Sequence, residues 1–271
     1  MVIRAEVTVF NALFFVGELQ SAATAVGRAV SLAKLADGRE ATAVPEDLAE
    51  PVDVEVDHVS FAYPGGANVL EDLSVTLEAG TTTALVGTSG AGKSTLAALI
   101  AGLVEPTSGC IRVGAVDTSQ VSDTWTAKNV TLLTQDVHLF AGTLREDLSM
   151  AAQDATDADL LRALASVGLD PEGTQFARLF PKGLDTAVGA GAEELPPEVE
   201  QQLALARVAL SGPKVLILDE ATAEAGSDAT NALEDAAARI TADTTALVVA
   251  HRLDQAAAAD RILVMLSLIH I

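Results

Sequence analysis

Residues 87–94 read Gly87-Thr88-Ser89-Gly90-Ala91-Gly92-Lys93-Ser94, which satisfies the spacing G-x-x-x-x-G-K-[ST] at every position. Glycines at these places let backbone N–H groups converge on phosphate oxygens, and a following helix adds its N-terminal dipole. Lys93 is then expected to meet the β- and γ-phosphates of a bound nucleotide, and Ser94 to ligate Mg²⁺. The apolar run Ala84-Leu85-Val86 precedes the loop and Thr95-Leu96 opens a helical pattern after it, the strand–loop–helix context that this chemistry needs. A second run, Lys214-Val215-Leu216-Ile217-Leu218-Asp219-Glu220, is expected to be a buried strand with two carboxylates at its end. Asp219 is placed to hold Mg²⁺ through water, and Glu220 to orient or deprotonate an attacking water. Together the two runs point to binding and hydrolysis of a nucleoside triphosphate with Mg²⁺.

Those runs need a sheet to position them. From Val52 the sequence alternates, with Val52, Val54 and Val56 on one face and Asp53, Glu55 and Asp57 on the other, up to a turn at Tyr63-Pro64-Gly65-Gly66. Further strands are expected at 69–77, 82–86, 110–113, 130–134, 215–218, 246–249 and 262–265. Helices are expected at 93–103, 157–167, 198–210, 228–240 and 253–259. Apolar strands alternating with helices imply an α/β fold around a mainly parallel sheet covered on both faces. Before this lie a long helical pattern near residues 7–35 and a linker at 37–51 that is rich in proline and acids. The final six residues, 266–271, are apolar to the last one, resemble the translation of a sequencing adapter, and are read as a non-native tail.

Composition limits the partners. The chain of 271 residues carries 38 acidic and 16 basic side chains, a net charge of −22, which repels nucleic acid over most of its surface. A single cysteine, Cys110, excludes an internal disulfide and a multi-cysteine metal site and fits a reducing compartment. The apolar stretch 7–19 is shorter than the roughly 20 residues a spanning helix requires, and no signal peptide is evident.

With these residues in view, the chain from about Val52 to Met265 resembles an ABC-transporter nucleotide-binding domain, because several independent motifs fall in the family's order. The resemblance implies a P-loop NTPase core with an antiparallel β subdomain and a helical subdomain. It also implies ATP as the nucleotide, and roles for particular residues. Tyr63 looks like the aromatic that stacks on adenine, with Gly87, Thr88, Ser89, Gly90, Ala91, Gly92, Lys93, Ser94 and Thr95 around the phosphates. Gln135, in Thr134-Gln135-Asp136, looks like the loop glutamine that touches Mg²⁺ and faces the membrane partner, and His251 like the histidine that contacts the γ-phosphate. The stretches 139–148 and 180–186 resemble the exporter branch, whose chains usually fuse six membrane helices in front of this domain. Residues 1–36 are accordingly expected to be the end of the last membrane helix and its cytoplasmic extension, cut short, with residues 37–51 a linker and 52–265 the ATP-binding domain on the cytoplasmic side of the plasma membrane. The acidity and many alanines fit a high-GC or salt-adapted bacterium.

One motif departs from the family. Where the signature Leu-Ser-Gly-Gly-Gln is expected, the chain has Leu195-Pro196-Pro197-Glu198-Val199. In the family two domains pair head to tail, and each signature presents N–H groups and a helix start to the γ-phosphate on the other's loop. Prolines donate no N–H, and Glu198 brings negative charge to that place. The loop after Glu220 departs as well, with Ala223-Glu224-Ala225-Gly226 in place of Ser-Ala-Leu-Asp. The expectation is a heterodimer with a second half-transporter whose signature is intact. Alternatives are a free-standing importer ATPase, which would lack residues 1–36, a nucleotide-dependent clamp, which would need basic surfaces or coiled-coil insertions, and a binder that does not hydrolyse ATP, against which Glu220 and His251 argue.

Overall fold

The computed structural model describes residues 41–134, 137–219, 227–250 and 253–266. The helical pattern at 7–35 and the tail at 267–271 lie outside them, as do Gln135, Glu220, residues 223–226 and His251.

The described chain runs β1 (Val54–Ala62), β2 (Asn68–Leu77), β3 (Thr82–Gly87), α1 (Lys93–Ile100), β4 (Ser108–Val113), β5 (Val116–Asp117), α2 (Asp123–Asn129), β6 (Val130–Leu133) and β7 (Gly142–Thr143). It continues through α3 (Leu144–Ser149), α4 (Asp157–Ser166), α5 (Thr174–Leu179), β8 (Ala187–Val188), α6 (Pro197–Ser211), β9 (Val215–Asp219), α7 (Ser227–Thr241), β10 (Thr245–Val249), α8 (Leu253–Ala257) and β11 (Arg261–Met265). Five strands form a parallel sheet in the order β11-β3-β10-β9-β6. Four others form an antiparallel sheet, β2-β1-β4-β5. An α/β fold with a parallel sheet and an antiparallel subdomain is therefore present, as the sequence led us to expect.

Two cores hold it. The first joins the faces of both sheets to α1 through Val54, Val56, Leu85, Leu96, Leu99, Ile100, Ile217 and Leu247. The second gathers α3, α4, α5, α6 and α7 around Leu148, Leu164, Phe176, Phe180 and Leu203. Burial of each such side chain contributes roughly 1.5–3 kcal/mol.

The alternation that began at Val52 does not run unbroken. Val54 and Val56 are buried, but the next inward residues are Val59 and Phe61, because the register shifts between Val56 and Val59. His58 takes a positive φ of 51° there, and its Nδ1 lies 2.6 Å from Asp72 Oδ1 on β2. Asp72 also has a positive φ, 49°, so facing irregularities on two strands restore the inward phase of the valines. Helix α1 stops at Ile100, three residues before the expected end, because Gly102 turns the chain at φ 71°. Residues 42–48, within the stretch read as a linker, lie against the domain: Thr42 and Ala43 donate to Gln120 O, Trp125 Nε1 donates to Glu46 O, and Leu48 packs on the first core.

Candidate functional site

The phosphate loop is positioned by strand β3, which sits between β10 and β11 in the sheet. Gly87 ends the strand opposite Met265 of β11, so close that a Cβ would lie 2.4 Å from Met265 O. The loop then turns through Gly90 and Gly92, both with positive φ. Gly92, at φ 97°, occupies the N-cap of α1, and a Cβ there would meet Leu70 Cδ2 at 2.8 Å. Only glycine fits both the conformation and the contact. The first turn of α1 contains no acid and no side-chain cap, so its leading N–H groups and dipole are left for an anion.

Lys93 is buried, 8% exposed, and its Nζ donates to Gly87 O at 3.0 Å and Thr88 O at 3.1 Å. The cation thus lies folded over its own loop. Ser94 is exposed beside it. Tyr63, half exposed, stands at the end of the β1 strand with its ring edge against Phe61 at 4.9 Å. Its Oη lies 3.4 Å from Thr95 Oγ1 on α1. An exposed aromatic ring is thereby placed next to the phosphate loop.

Asp219 closes β9, one strand removed from β3 with β10 between them. All three run parallel, so loop and carboxylate leave the sheet at one carboxyl edge, about 10 Å apart at the backbone. Asp219 Oδ1 is buried and has no hydrogen-bond partner among the described residues. A carboxylate oxygen left in that condition costs about 1–3 kcal/mol unless a cation or water completes it. Among the described residues no group of three His, Cys, Asp or Glu is gathered for a metal. A carboxylate on the same sheet edge as a phosphate loop is the kind of donor Mg²⁺ would use, since that ion keeps several waters and takes one or two carboxylates together with substrate phosphates. Strands β6 and β10 end at Leu133 and Val249 on the same edge, just before Gln135 and His251, which with Glu220 are outside the described residues.

Residues 195–199, where the signature was expected, form a helix start of another kind. Pro196 is the N-cap of α6 and Pro197 its first residue, with Glu198 and Glu200 in the first turn and no side-chain cap. The N–H groups of Val199 and Glu200 already donate to Pro196 O. Further along α6, and not singled out in the sequence, Arg207 donates to buried Asp147 on α3 at 2.9 Å. An arginine inside the apolar run Leu203–Leu210 was the available signal.

The parallel sheet, the glycine loop between β3 and α1, and the antiparallel subdomain define an α/β domain of the P-loop type. The chain belongs to the ABC transporter family, whose sequence profile matches residues 70–223. It is 36% identical over 208 residues to the ABC transporter ATP-binding protein YwjA of Bacillus subtilis, covering 77% of this chain and 36% of that protein. The mycobactin import ATP-binding/permease protein IrtA of Mycolicibacterium thermoresistibile is 39% identical over 219 residues, 81% of this chain and 24% of IrtA. ATP-binding cassette sub-family B member 6 of Rattus norvegicus is 35% identical over 212 residues, 78% of this chain and 25% of that protein. The chain thus spans little more than a third, or less, of the length of these relatives. It carries an ABC transporter ATPase domain, and ATP is the nucleotide that membership implies. No helix among the described residues is long and apolar enough to cross a membrane.

Proposed function

We propose that this chain binds Mg-ATP between residues 87–95 and Asp219 and hydrolyses it as one half of an exporter-type ABC transporter on the cytoplasmic side of the plasma membrane. The observation that carries the reading is the shared carboxyl edge, where an N-terminal helix dipole, a buried lysine and a carboxylate oxygen with no partner converge. Tyr63 serves as the platform for adenine. Lys93 exchanges its two loop carbonyls for the β- and γ-phosphates, gaining anionic acceptors in place of neutral ones. Ser94, Asp219 and Gln135 would hold Mg²⁺, whose charge would offset that developing on the transferred phosphoryl group. Glu220 orients or deprotonates the attacking water, and His251 contacts the γ-phosphate.

The partner follows from α6. A start made of Pro196, Pro197 and Glu198 has two positions without an N–H donor and carries negative charge, and each donor lost to a buried anion costs roughly 1–3 kcal/mol. The hydrolytic site is therefore formed by this chain's loop and the intact signature of a second half-transporter, while the site facing Leu195–Val199 turns over slowly. Membrane helices preceding the ATP-binding domain, with residues 1–36 as the end of the last one, complete the transporter. IrtA, named as an import protein, favours a second reading in which the same assembly works inward.

The test is to restore the signature in this chain with Pro196→Ser, Pro197→Gly, Glu198→Gly and Val199→Gln and to measure ATPase activity of the chain alone. The restored chain is expected to gain at least about tenfold, and the gain is expected to vanish with Glu220→Gln. Vigorous hydrolysis by the unaltered chain alone would mean that Leu195–Val199 still works as a signature, and the heterodimer reading would fall.

A further inference from the structure

The segment that leaves β6 is fastened to the helical region by charge. Asp147, on α3, is 1% exposed, and its Oδ1 accepts from Phe140 N–H at 3.0 Å and from Arg207 Nη1 at 2.9 Å. Arg207, on α6, uses Nη2 to donate to His138 O at 3.0 Å. One buried ion pair therefore holds two backbone groups, two residues apart, against a helix some sixty positions later in the chain. The other oxygen, Asp147 Oδ2, is buried with no partner among the described residues.

As a source of stability this is a poor arrangement. A buried pair with an unsatisfied oxygen is often matched or bettered by apolar side chains of similar shape. What apolar side chains cannot do is grip a particular N–H and a particular C=O at once, which the planar guanidinium fork does. Lysine, a point charge on a flexible stem, lacks the rigid fork that fixes the two acceptors relative to each other.

We propose that Asp147 and Arg207 are positioning residues that bind the segment His138–Phe140 and helix α6 into one mechanical unit, so that a displacement of either is carried by the other. Helix α6 begins at the degenerate signature, and the segment follows β6 out of the carboxyl edge with the Phe140 ring half exposed. The consequence rests on the function proposed above: closure against a partner's nucleotide at Leu195–Val199 is transmitted to the surface around Phe140.

Hydrogen exchange of the whole chain, followed by mass spectrometry, tests the unit. In the unaltered chain, peptides covering 138–142 and α6 are expected to share one denaturant dependence. In Arg207→Lys, exchange at 138–142 is expected to rise at least about tenfold while α6 changes less than about twofold. Unchanged protection at 138–142, or equal loss in both places, overturns the proposal. Should Arg207→Lys fail to fold, the shared or separate denaturant dependence of the unaltered chain decides alone. A second readout uses the restored-signature chain, where Arg207→Lys is expected to lower kcat about tenfold and to leave KM for ATP within about twofold. An unchanged kcat, or a KM that rises with the fall in kcat, overturns it. If the restored-signature chain does not hydrolyse ATP at all, the reading of Leu195–Val199 fails, and the exchange result still decides the pair.

Discussion

Helices α1 and α6 both begin at a place that the proposed function sets against a γ-phosphate, yet their first turns are built from opposite materials. At α1 a left-handed glycine and no acid leave donors and dipole free, with a buried lysine beside them. At α6 two prolines remove donors and two glutamates answer the dipole within the chain itself. Both are sound helix starts, since proline at the first position and acids in the first turn stabilise a helix as well as a bound anion does. Stability of the element and affinity for a ligand are thus separable, and the chain gives each start one of the two.

The contrast can be broken from the α1 side with the largest effect. Lys93→Ala is expected to weaken ATP binding about a hundredfold, some 2.7 kcal/mol, whereas Glu198→Gln leaves binding to the single chain unchanged; titration calorimetry of the two variants checks this. From the α6 side, restoring the signature is expected to cost stability as it gains a site. Loss of Pro197 and of Glu198 removes about 1–2 kcal/mol in total, read as a lower midpoint in denaturant, and a restored chain as stable as the original would show that α6 was not optimised as a helix start.

Asp219→Asn sharpens the same point with a smaller effect. It relieves a buried, partnerless carboxylate oxygen, so without nucleotide the melting temperature is expected to hold or to rise by an amount worth at most about 1 kcal/mol. The additional stabilisation by Mg-ATP over ATP with EDTA is expected to shrink. The smallest effect belongs to a region that touches neither helix start. Hydrogen bonding and charge from Asp72 raise the His58 pKa, so its contribution is fully present below the unfolded value of about 6.5 and is lost as pH rises through the folded value. The stability difference between the unaltered chain and His58→Gln should therefore narrow between about pH 6 and about pH 8.

Much of this was legible in the residues. The loop at 87–94 and the apolar strand before Asp219 carry their structure in local spacing, and α6 and α7 are long enough for a helical period to register. The six-residue helices α3 and α5 are not. They hold because Thr143 and Glu146 form a capping box and because Leu144, Leu148 and Phe176 enter the second core, contacts that no short window contains. The inward phase of β1 was lost at His58 for a similar reason, since the irregularity there depends on β2. The Asp147–Arg207 pair joins residues sixty positions apart, and the docking of residues 42–48 depends on Gln120, Trp125 and Asn129.

Strand β3, the root of the phosphate loop, has neighbours drawn from far down the chain: Thr82–Leu85 pair with Ala246–Val249, and Thr83–Gly87 with Arg261–Met265. A ribosome adding residues in order makes the loop well before its two flanking strands. Until about residue 249 has emerged, β3 has no partner on either side, and until about residue 265 Gly87 has no β11 to lie against. Pairings of such long sequence separation form slowly and leave apolar strand surface open meanwhile. The frame of the glycine loop is consequently completed long after the loop itself, and a nascent or interrupted copy that displays the whole glycine motif would still lack the sheet that positions it.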